Sequence, residues 1–79
     1  MAVLKYFTER KLKMKLTING ENVTLEKPTT VSEYLADNGY VPARIAVEIN
    51  EEILPKTQYE TRNLCEGDLV EIVTFMGGG

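Results

Sequence analysis

The segment MKLTINGENVTLE, which begins at Met14, alternates apolar and polar residues on both sides of Asn19-Gly20. Asn-Gly between two alternating segments is the strongest short-range signal for a two-residue β-hairpin turn, because both central residues must adopt positive φ. Such a turn places Leu16 opposite Val23 and puts the apolar side chains of both strands on one face. The sequence therefore predicts a hairpin with one apolar face that must be covered by another element.

The segment TVSEYLADNG, which follows Pro28, has the signals of a short helix. Thr30 is a good N-cap, Glu33 stands where a capping box needs it, and Gly39 can end the helix in the left-handed conformation. The apolar residues of this helix share one face and are suited to cover the hairpin: Val31, Tyr34 and Leu35.

The second half of the chain contains three further apolar segments, RIAVEIN, EEILP and LVEIVTF. The first alternates as a strand does, the second is a short strand that Pro55 ends, and the third is apolar enough to be a central strand. Between the last two, residues 56–63 are expected to form a loop with one helical turn. The predicted order is β-β-α-β-β-β in one α+β domain over residues 14–79, and residues 1–13 are treated as an extension outside it.

Composition excludes several classes of function. The formal net charge is −3 and the nine basic residues are dispersed, so no nucleic-acid partner is expected. No apolar segment approaches the roughly 20 residues of a membrane span, and no signal-peptide pattern is present, so the expected location is the cytoplasm. The single cysteine, Cys65, cannot form an internal disulfide and is expected to be a small buried residue. With no histidine in the chain, neither a zinc site nor a Ser-His or Cys-His nucleophile is expected.

The sequence ends in EIVTFMGGG, so a predicted strand leads directly into a glycine segment. Glycine buries no side chain and loses more backbone entropy on ordering than other residues, so the segment does not serve the stability of the fold. Glycine does allow close approach to a backbone, as needed when a chain end enters a narrow channel. The glycines are therefore interpreted as a functional tail.

This element order, the MKLTING opening and FMGGG after EGDLVEIVT resemble the ThiS family, the sulfur carriers of thiamine biosynthesis. The resemblance covers residues 14–79. It implies a ubiquitin-like β-grasp fold: a mixed sheet of about five strands, one main helix packed on one face, and a flexible C-terminal Gly-Gly tail.

The resemblance also implies the chemistry of the tail. An ATP-dependent, ubiquitin-activating-type adenylyltransferase would adenylate Gly79, with Gly78 beside it, and sulfur from a donor such as a cysteine desulfurase would convert the adenylate to a thiocarboxylate. Gly79 would then donate its sulfur to thiazole synthase. On this interpretation the chain is a protein co-substrate that binds no cofactor or metal, and ATP is used by its partner.

Alternation within LVEIVTF predicts which side chains meet that partner. Val70 and Ile72 are expected in the core, because burying the charge of Glu71 on the opposite face would cost several kcal/mol. The predicted docking surface lies beside the tail and consists of Glu71, Val73, Phe75, Met76 and Gly77. The neighbouring carboxylates of Glu51 and Glu52 are interpreted as a solvated hairpin tip.

Three alternatives remain open at this point. The small subunit of molybdopterin synthase has the same fold and tail, and a ubiquitin-like modifier would pass its adenylate to a lysine amine. A β-grasp module that only binds other proteins would have no chemistry at Gly79.

Overall fold

The computed structural model describes residues 13–75. Its strands are β1 (Met14–Ile18), β2 (Glu21–Leu25), β3 (Ile45–Ile49), β4 (Glu52–Ile53) and β5 (Leu69–Thr74), and its α-helix is α1 (Val31–Asp37). Two short 3₁₀ segments, Pro42–Arg44 and Lys56–Gln58, lie in the connections. The predicted element order is confirmed, and the loop at residues 56–63 contains the single helical turn that was expected.

The strands form one mixed sheet in the order β2-β1-β5-β3-β4. β1 pairs in parallel with β5, whereas β5 pairs antiparallel with β3, as do the two hairpins β1–β2 and β3–β4. β5 is thus the central strand, as its apolar sequence predicted. The last described residues of the chain emerge from the middle of the sheet.

The first hairpin has the predicted turn and register. Asn19 and Gly20 have φ values of 53° and 81°, as a type I′ turn requires, and Leu16 pairs with Val23. The second hairpin repeats this turn with Asn50 and Glu51, whose φ values are 55° and 71°. The tip of the second hairpin is exposed, which confirms the interpretation of its two glutamates.

Helix α1 begins with the predicted capping box. The Thr30 amide donates to Oε1 of Glu33 at 2.9 Å, and the Glu33 amide donates to Oγ1 of Thr30 at 3.1 Å. An N-cap of this kind stabilises a helix by about 1 kcal/mol. After the helix, Gly39 adopts a φ of 77°, which few residues other than glycine tolerate. Backbone groups at both ends of α1 therefore have hydrogen-bond partners, which defines where the helix begins and ends.

The hydrophobic core lies between α1 and one face of the sheet. Every strand except the edge strands β2 and β4 contributes buried side chains, and the loop between β4 and β5 adds Tyr59 and Leu64. The other buried apolar residues are Leu16, Ile18, Val31, Leu35, Ile45, Val47, Ile49, Val70 and Ile72. All of these strand residues follow the predicted alternation, so the opposite sheet face, here called the outer face, is left to solvent.

The expectation for Cys65 was wrong: the cysteine is exposed. Its neighbour Leu64 is 2% exposed and fills the core position. Because consecutive side chains of an extended segment point to opposite sides, burial of Leu64 turns Cys65 outward. The thiol lies 3.7 Å from Nη1 of Arg62 at the surface.

Within the described part of the chain, no helix is long and apolar enough to cross a membrane. The expectations for the extension at residues 1–13, apart from Lys13, and for the tail at residues 76–79 lie outside the described residues.

Candidate partner-binding site at the end of the central strand

The two faces of β5 differ as the sequence predicted. Val70 and Ile72 are 2% and 8% exposed and belong to the core, whereas Val73 and Phe75 are 48% and 51% exposed. Glu71 also lies on the exposed side. The three described residues of the predicted docking surface therefore lie on one face of one strand, next to the point where the tail begins.

Pairing with β3 fixes the position of this surface. Glu71 lies opposite Glu48, and Val73 lies opposite Ala46. Beyond the last strand residue, the Phe75 amide donates to the Arg44 carbonyl at 2.8 Å. Phe75 is therefore held by backbone hydrogen bonding while its ring remains half exposed.

Sequence reasoning missed part of the apolar area on the outer face. Alternation along β5 already predicts that Leu69 faces outward, and it is 45% exposed, but Ile53 on β4, which is 73% exposed, was not predicted to lie on the same face. Ile53 pairs with Glu48, so it shares the outer face with Glu71 and Val73. The strand EEILP was correctly predicted, but its neighbours in the sheet could not be deduced from local sequence. Together these residues form an exposed apolar surface around two carboxylates.

A polar cluster holds the opposite end of β5. The carboxylate of Asp68 accepts hydrogen bonds from Nη1 of Arg62 at 3.1 Å, the Cys65 amide at 2.8 Å and Nδ2 of Asn50 at 3.1 Å. Oδ1 of Asn50 also accepts from the Leu69 amide at 2.9 Å. These contacts join both loops that flank the start of the central strand.

The environment of Asp68 keeps its carboxylate charged. Burial is the largest single effect and raises its pKa, but the hydrogen bonds from Arg62, Cys65 and Asn50, together with the charge of Arg62, outweigh it. The pKa of Asp68 is therefore lower than the usual value of 3.8. The cluster has a structural role, because its charges are already satisfied within the protein.

The tail residues predicted to carry or adjoin the chemistry, Met76, Gly77, Gly78 and Gly79, lie outside the described residues. Among residues 13–75, no group of three or more potential metal ligands from His, Cys, Asp and Glu is found. The described part provides a strand end that is hydrogen-bonded to β3 and Arg44, with an exposed surface beside it.

Over residues 13–75, a five-stranded mixed sheet with one α-helix across one face defines a small ubiquitin-like β-grasp protein. The model of the ThiS family matches residues 5–79. The chain is 40% identical over 65 residues to the sulfur carrier protein ThiS of Bacillus subtilis, covering 81% of this chain and 98% of that relative. This chain belongs to the ThiS family of sulfur carrier proteins.

A solved structure agrees with this assignment. The crystal structure of the thiamine biosynthesis protein ThiS from Geobacter metallireducens superimposes with a TM-score of 0.69 at 35% sequence identity. The match covers 84% of this chain and all of that protein. The ubiquitin-like β-grasp fold predicted from the sequence is thereby confirmed.

A second kind of relative is much longer. A thiazole synthase of Paramagnetospirillum magneticum is 44% identical over 66 residues, which cover 84% of this chain but 20% of that enzyme. This chain thus spans about one fifth of the length of the thiazole synthases that it matches.

Proposed function

We propose that this protein carries sulfur on the carboxyl group of Gly79 for formation of the thiazole ring of thiamine. The single observation that supports this most strongly is the match of residues 5–79 to the ThiS family, which includes the glycine segment. The end of β5 adds physical support, because it holds the exposed apolar side chains of Val73 and Phe75 beside that segment.

The chemistry starts from a carboxylate that is a poor electrophile. Its negative charge repels nucleophiles, and an oxide ion is a poor leaving group. Attack of the Gly79 carboxylate on the α-phosphorus of ATP forms an acyl-adenylate and releases pyrophosphate. Sulfur at the oxidation level of hydrosulfide then displaces AMP from the carbonyl carbon and leaves a thiocarboxylate. The protein is a co-substrate in both steps.

The glycines suit this role because they remove side chains from the reacting end. Gly77 and Gly78 allow an enzyme to surround the backbone closely and bring the Gly79 carbonyl to a bound nucleotide. Met76 and Gly77 are the part of the docking surface that leads to that end. The sheet thus serves recognition, and the three glycines that follow Met76 serve the reaction.

The partner that performs adenylation is proposed to be a ubiquitin-activating-type adenylyltransferase that docks on the outer face. Phe75 serves as its anchor, Val73 packs beside Phe75, and Glu71 is a polar contact at the rim. Aromatic residues in such positions often dominate binding energy. The cofactor ATP belongs to this partner and not to the carrier.

The acceptor of the sulfur is proposed to be thiazole synthase. Two thiazole synthases contain a segment similar to this chain within their own sequence, at 44% and 38% identity. Joining a carrier segment to an enzyme in one polypeptide raises its effective concentration, which is useful when the two must meet repeatedly. The sulfur donor is proposed to be a cysteine desulfurase, whose persulfide is cleaved by a second thiol to give a disulfide and sulfur at the level of hydrosulfide. The proposed site of action is the cytoplasm, where an exposed Cys65 can stay reduced.

The test is the intact mass of the protein after incubation with its adenylyltransferase, ATP and a sulfur donor. A gain equal to replacing one oxygen by one sulfur is expected. Deleting Gly79, or adding one residue after it, should abolish the gain while the circular dichroism spectrum stays unchanged. Loading of the extended protein would contradict the proposal.

The same assay separates the alternatives. Attachment to a lysine amine would indicate a modifier, and an unchanged mass would indicate a module that only binds. To distinguish the two sulfur pathways, the loaded protein is offered separately to thiazole synthase and to the large subunit of molybdopterin synthase. Sulfur transfer is expected with thiazole synthase.

A further inference from the structure

β5 continues beyond the end of its parallel neighbour. Thr17 and Ile18 of β1 pair with Leu69 and Val70, and β1 ends there. β5 itself continues to Thr74. Because the first hairpin turns away at Asn19-Gly20, the last part of β5 has a strand beside it on the β3 side, and residues 13–75 supply none on the β1 side.

The side chain of Asn19 marks where this open side begins. Its Oδ1 accepts a hydrogen bond from the Ile72 amide at 2.7 Å, and its own amide donates to the Val70 carbonyl at 2.9 Å. Asn19 therefore continues the β1–β5 ladder by one bond after β1 has ended. The next groups on this side are the Ile72 carbonyl and the Thr74 amide.

The alternation of β-sheet hydrogen bonds shows which way these groups point. Leu69 and Phe75 bond towards the β3 side, since the Leu69 carbonyl accepts from Asn50 and the Phe75 amide donates to Arg44. The intervening residues Ile72 and Thr74 bond towards the β1 side, as the contact of Ile72 with Asn19 confirms. Within residues 13–75, neither the Ile72 carbonyl nor the Thr74 amide has a hydrogen-bond partner on that side. We call this pair the open β5 edge.

We propose that an extended backbone segment of the adenylyltransferase pairs with the open β5 edge as an additional strand, and that this pairing aligns the tail. The proposal rests on the proposed function, because it names how that partner engages the same site. An edge that presents an alternating acceptor and donor is complementary to another extended chain, a mode of binding that many peptide-recognition proteins use.

The composition of the tail supports the adenylyltransferase as the partner that binds the open β5 edge. Gly77, Gly78 and Gly79 have no side chains, so an enzyme can recognise them only through backbone groups and shape. A partner strand that starts at Ile72 can continue its hydrogen bonds along the tail, which follows directly after Phe75. Backbone pairing would thus fix the direction of the tail before Gly79 reaches the nucleotide.

Thr74→Pro tests the edge without removing a hydrogen bond within the described fold. Proline lacks the amide hydrogen and is tolerated in a strand where that hydrogen faces outward. We expect Thr74→Pro to keep the unfolding midpoint nearly unchanged and to weaken binding of the adenylyltransferase on the order of tenfold, from the loss of one or two backbone hydrogen bonds. Thr74→Ala is the matched control, which removes the side chain but keeps the amide, and it should bind as the wild type does.

A second variant keeps the test valid if proline disturbs the strand. Residues 65–79 can be synthesised with an ester in place of the Thr74 amide and joined at Cys65 to a thioester of residues 1–64. The ester changes NH to O and leaves every side chain in place. It should show the same loss of affinity as Thr74→Pro.

Amide hydrogen exchange gives an independent measurement. In the free protein the Thr74 amide should exchange quickly and the Ile72 amide slowly. In the saturated complex, protection of the Thr74 amide should rise at least as far as that of Ile72. A Thr74 amide that still exchanges quickly in the complex, or an ester variant with wild-type affinity, would overturn the proposal. Protection in the free protein that grows with its concentration would also overturn it, by indicating pairing between two copies.

The two proposals fail in different ways. If the wild-type protein gains no adenylate or sulfur with any such enzyme, the proposed function is wrong. If the wild type is loaded normally and the Thr74 variants are loaded equally well at limiting protein concentration, only the role of the open β5 edge is wrong.

Discussion

Nη1 of Arg62 lies 3.1 Å from Oδ2 of Asp68, and the Asp68 side chain is only 7% exposed. It is the one ion pair within residues 13–75, and Asp68 lies directly before the central strand. Removing one partner of a buried pair leaves an uncompensated charge, which destabilises a protein more than the loss of a surface pair. Folding of β5 is therefore coupled to the charge of Asp68.

The first prediction concerns acid stability. Asp68 binds its proton more weakly in the folded protein than in the unfolded chain, because its pKa is lowered from 3.8. The contribution of the Asp68 charge to the free energy of unfolding is thus present above pH 3.8. It is lost as the pH falls through the pKa of Asp68 in the folded protein, which is lower than 3.8. Asp68→Asn should reduce the free energy of unfolding by about 2 kcal/mol at neutral pH. The difference from the wild type should shrink below pH 3.8 in urea denaturation experiments.

Glu60→Gln is the control for this prediction. Glu60 is exposed in the same loop region, and its neutralisation should change stability by less than about 0.5 kcal/mol. If Asp68→Asn lost the same stability at every pH, the effect would come from hydrogen bonding alone and not from the charge.

The second prediction concerns the proposed anchor. Phe75→Ala should raise the apparent Michaelis constant of the adenylyltransferase for this protein about tenfold or more, because a central aromatic contact is lost. The ring is 51% exposed, so the unfolding midpoint should move little. Steady-state adenylation and thermal unfolding of the same preparation measure both effects.

Ile72→Ala, three residues before Phe75, is the matched control and should lower stability instead of partner affinity. Its side chain is 8% exposed in the core, and truncation should cost about 2–5 kcal/mol of stability. Adenylation per folded molecule should be preserved. A large loss of stability in Phe75→Ala, with unchanged affinity per folded molecule, would contradict the assignment of Phe75 to the docking surface.

Local sequence was sufficient for most of the fold. The Asn19-Gly20 turn fixed the first hairpin because its positive φ values select one turn type and one register. Thr30 and Glu33 fixed the start of the helix through a capping box that involves neighbouring residues alone. Glu71 identified the outer face of β5, because a charge in the core would be too costly.

Contacts between distant residues could not be predicted in the same way. Asn19 was recognised as a turn residue, but its hydrogen bond to Ile72 depends on parallel pairing between strands at opposite ends of the chain. The Asp68 cluster likewise needs Asn50 from the second hairpin. Cys65 was placed on the wrong side because the core position was filled by Leu64, and a lone cysteine has no periodicity to indicate which of the two is buried.

The third prediction concerns the N-terminal arm. Removing residues 1–13 should leave the domain folded, since Met14 begins a strand whose hairpin partner is present. Thermal unfolding of a chain that starts at Met14 measures this. A fall of the midpoint by more than about 8 °C, which exceeds a 1 kcal/mol effect in a domain of this size, would mean that the arm packs on the core.

The fourth prediction separates the two roles of Asn19, which are to adopt positive φ and to accept the Ile72 hydrogen bond. Asn19→Gly keeps the backbone conformation but removes the acceptor, and it should reduce the free energy of unfolding by about 1–2 kcal/mol. Asn19→Asp keeps both an oxygen acceptor and tolerance of positive φ, so it should remain close to the wild type.

Hydrogen exchange at Ile72 identifies the cause of any change. The Ile72 amide should lose protection in Asn19→Gly more than the amide of Val73, because Val73 is in the β3–β5 ladder, which does not involve Asn19. Asn19→Asp should restore the protection of Ile72. If both variants lost stability equally and the two amides changed in parallel, the Asn19 side chain would not hold β5. The end of the central strand would then be positioned by β3 alone, and the tail would begin from a strand that is fixed on one side.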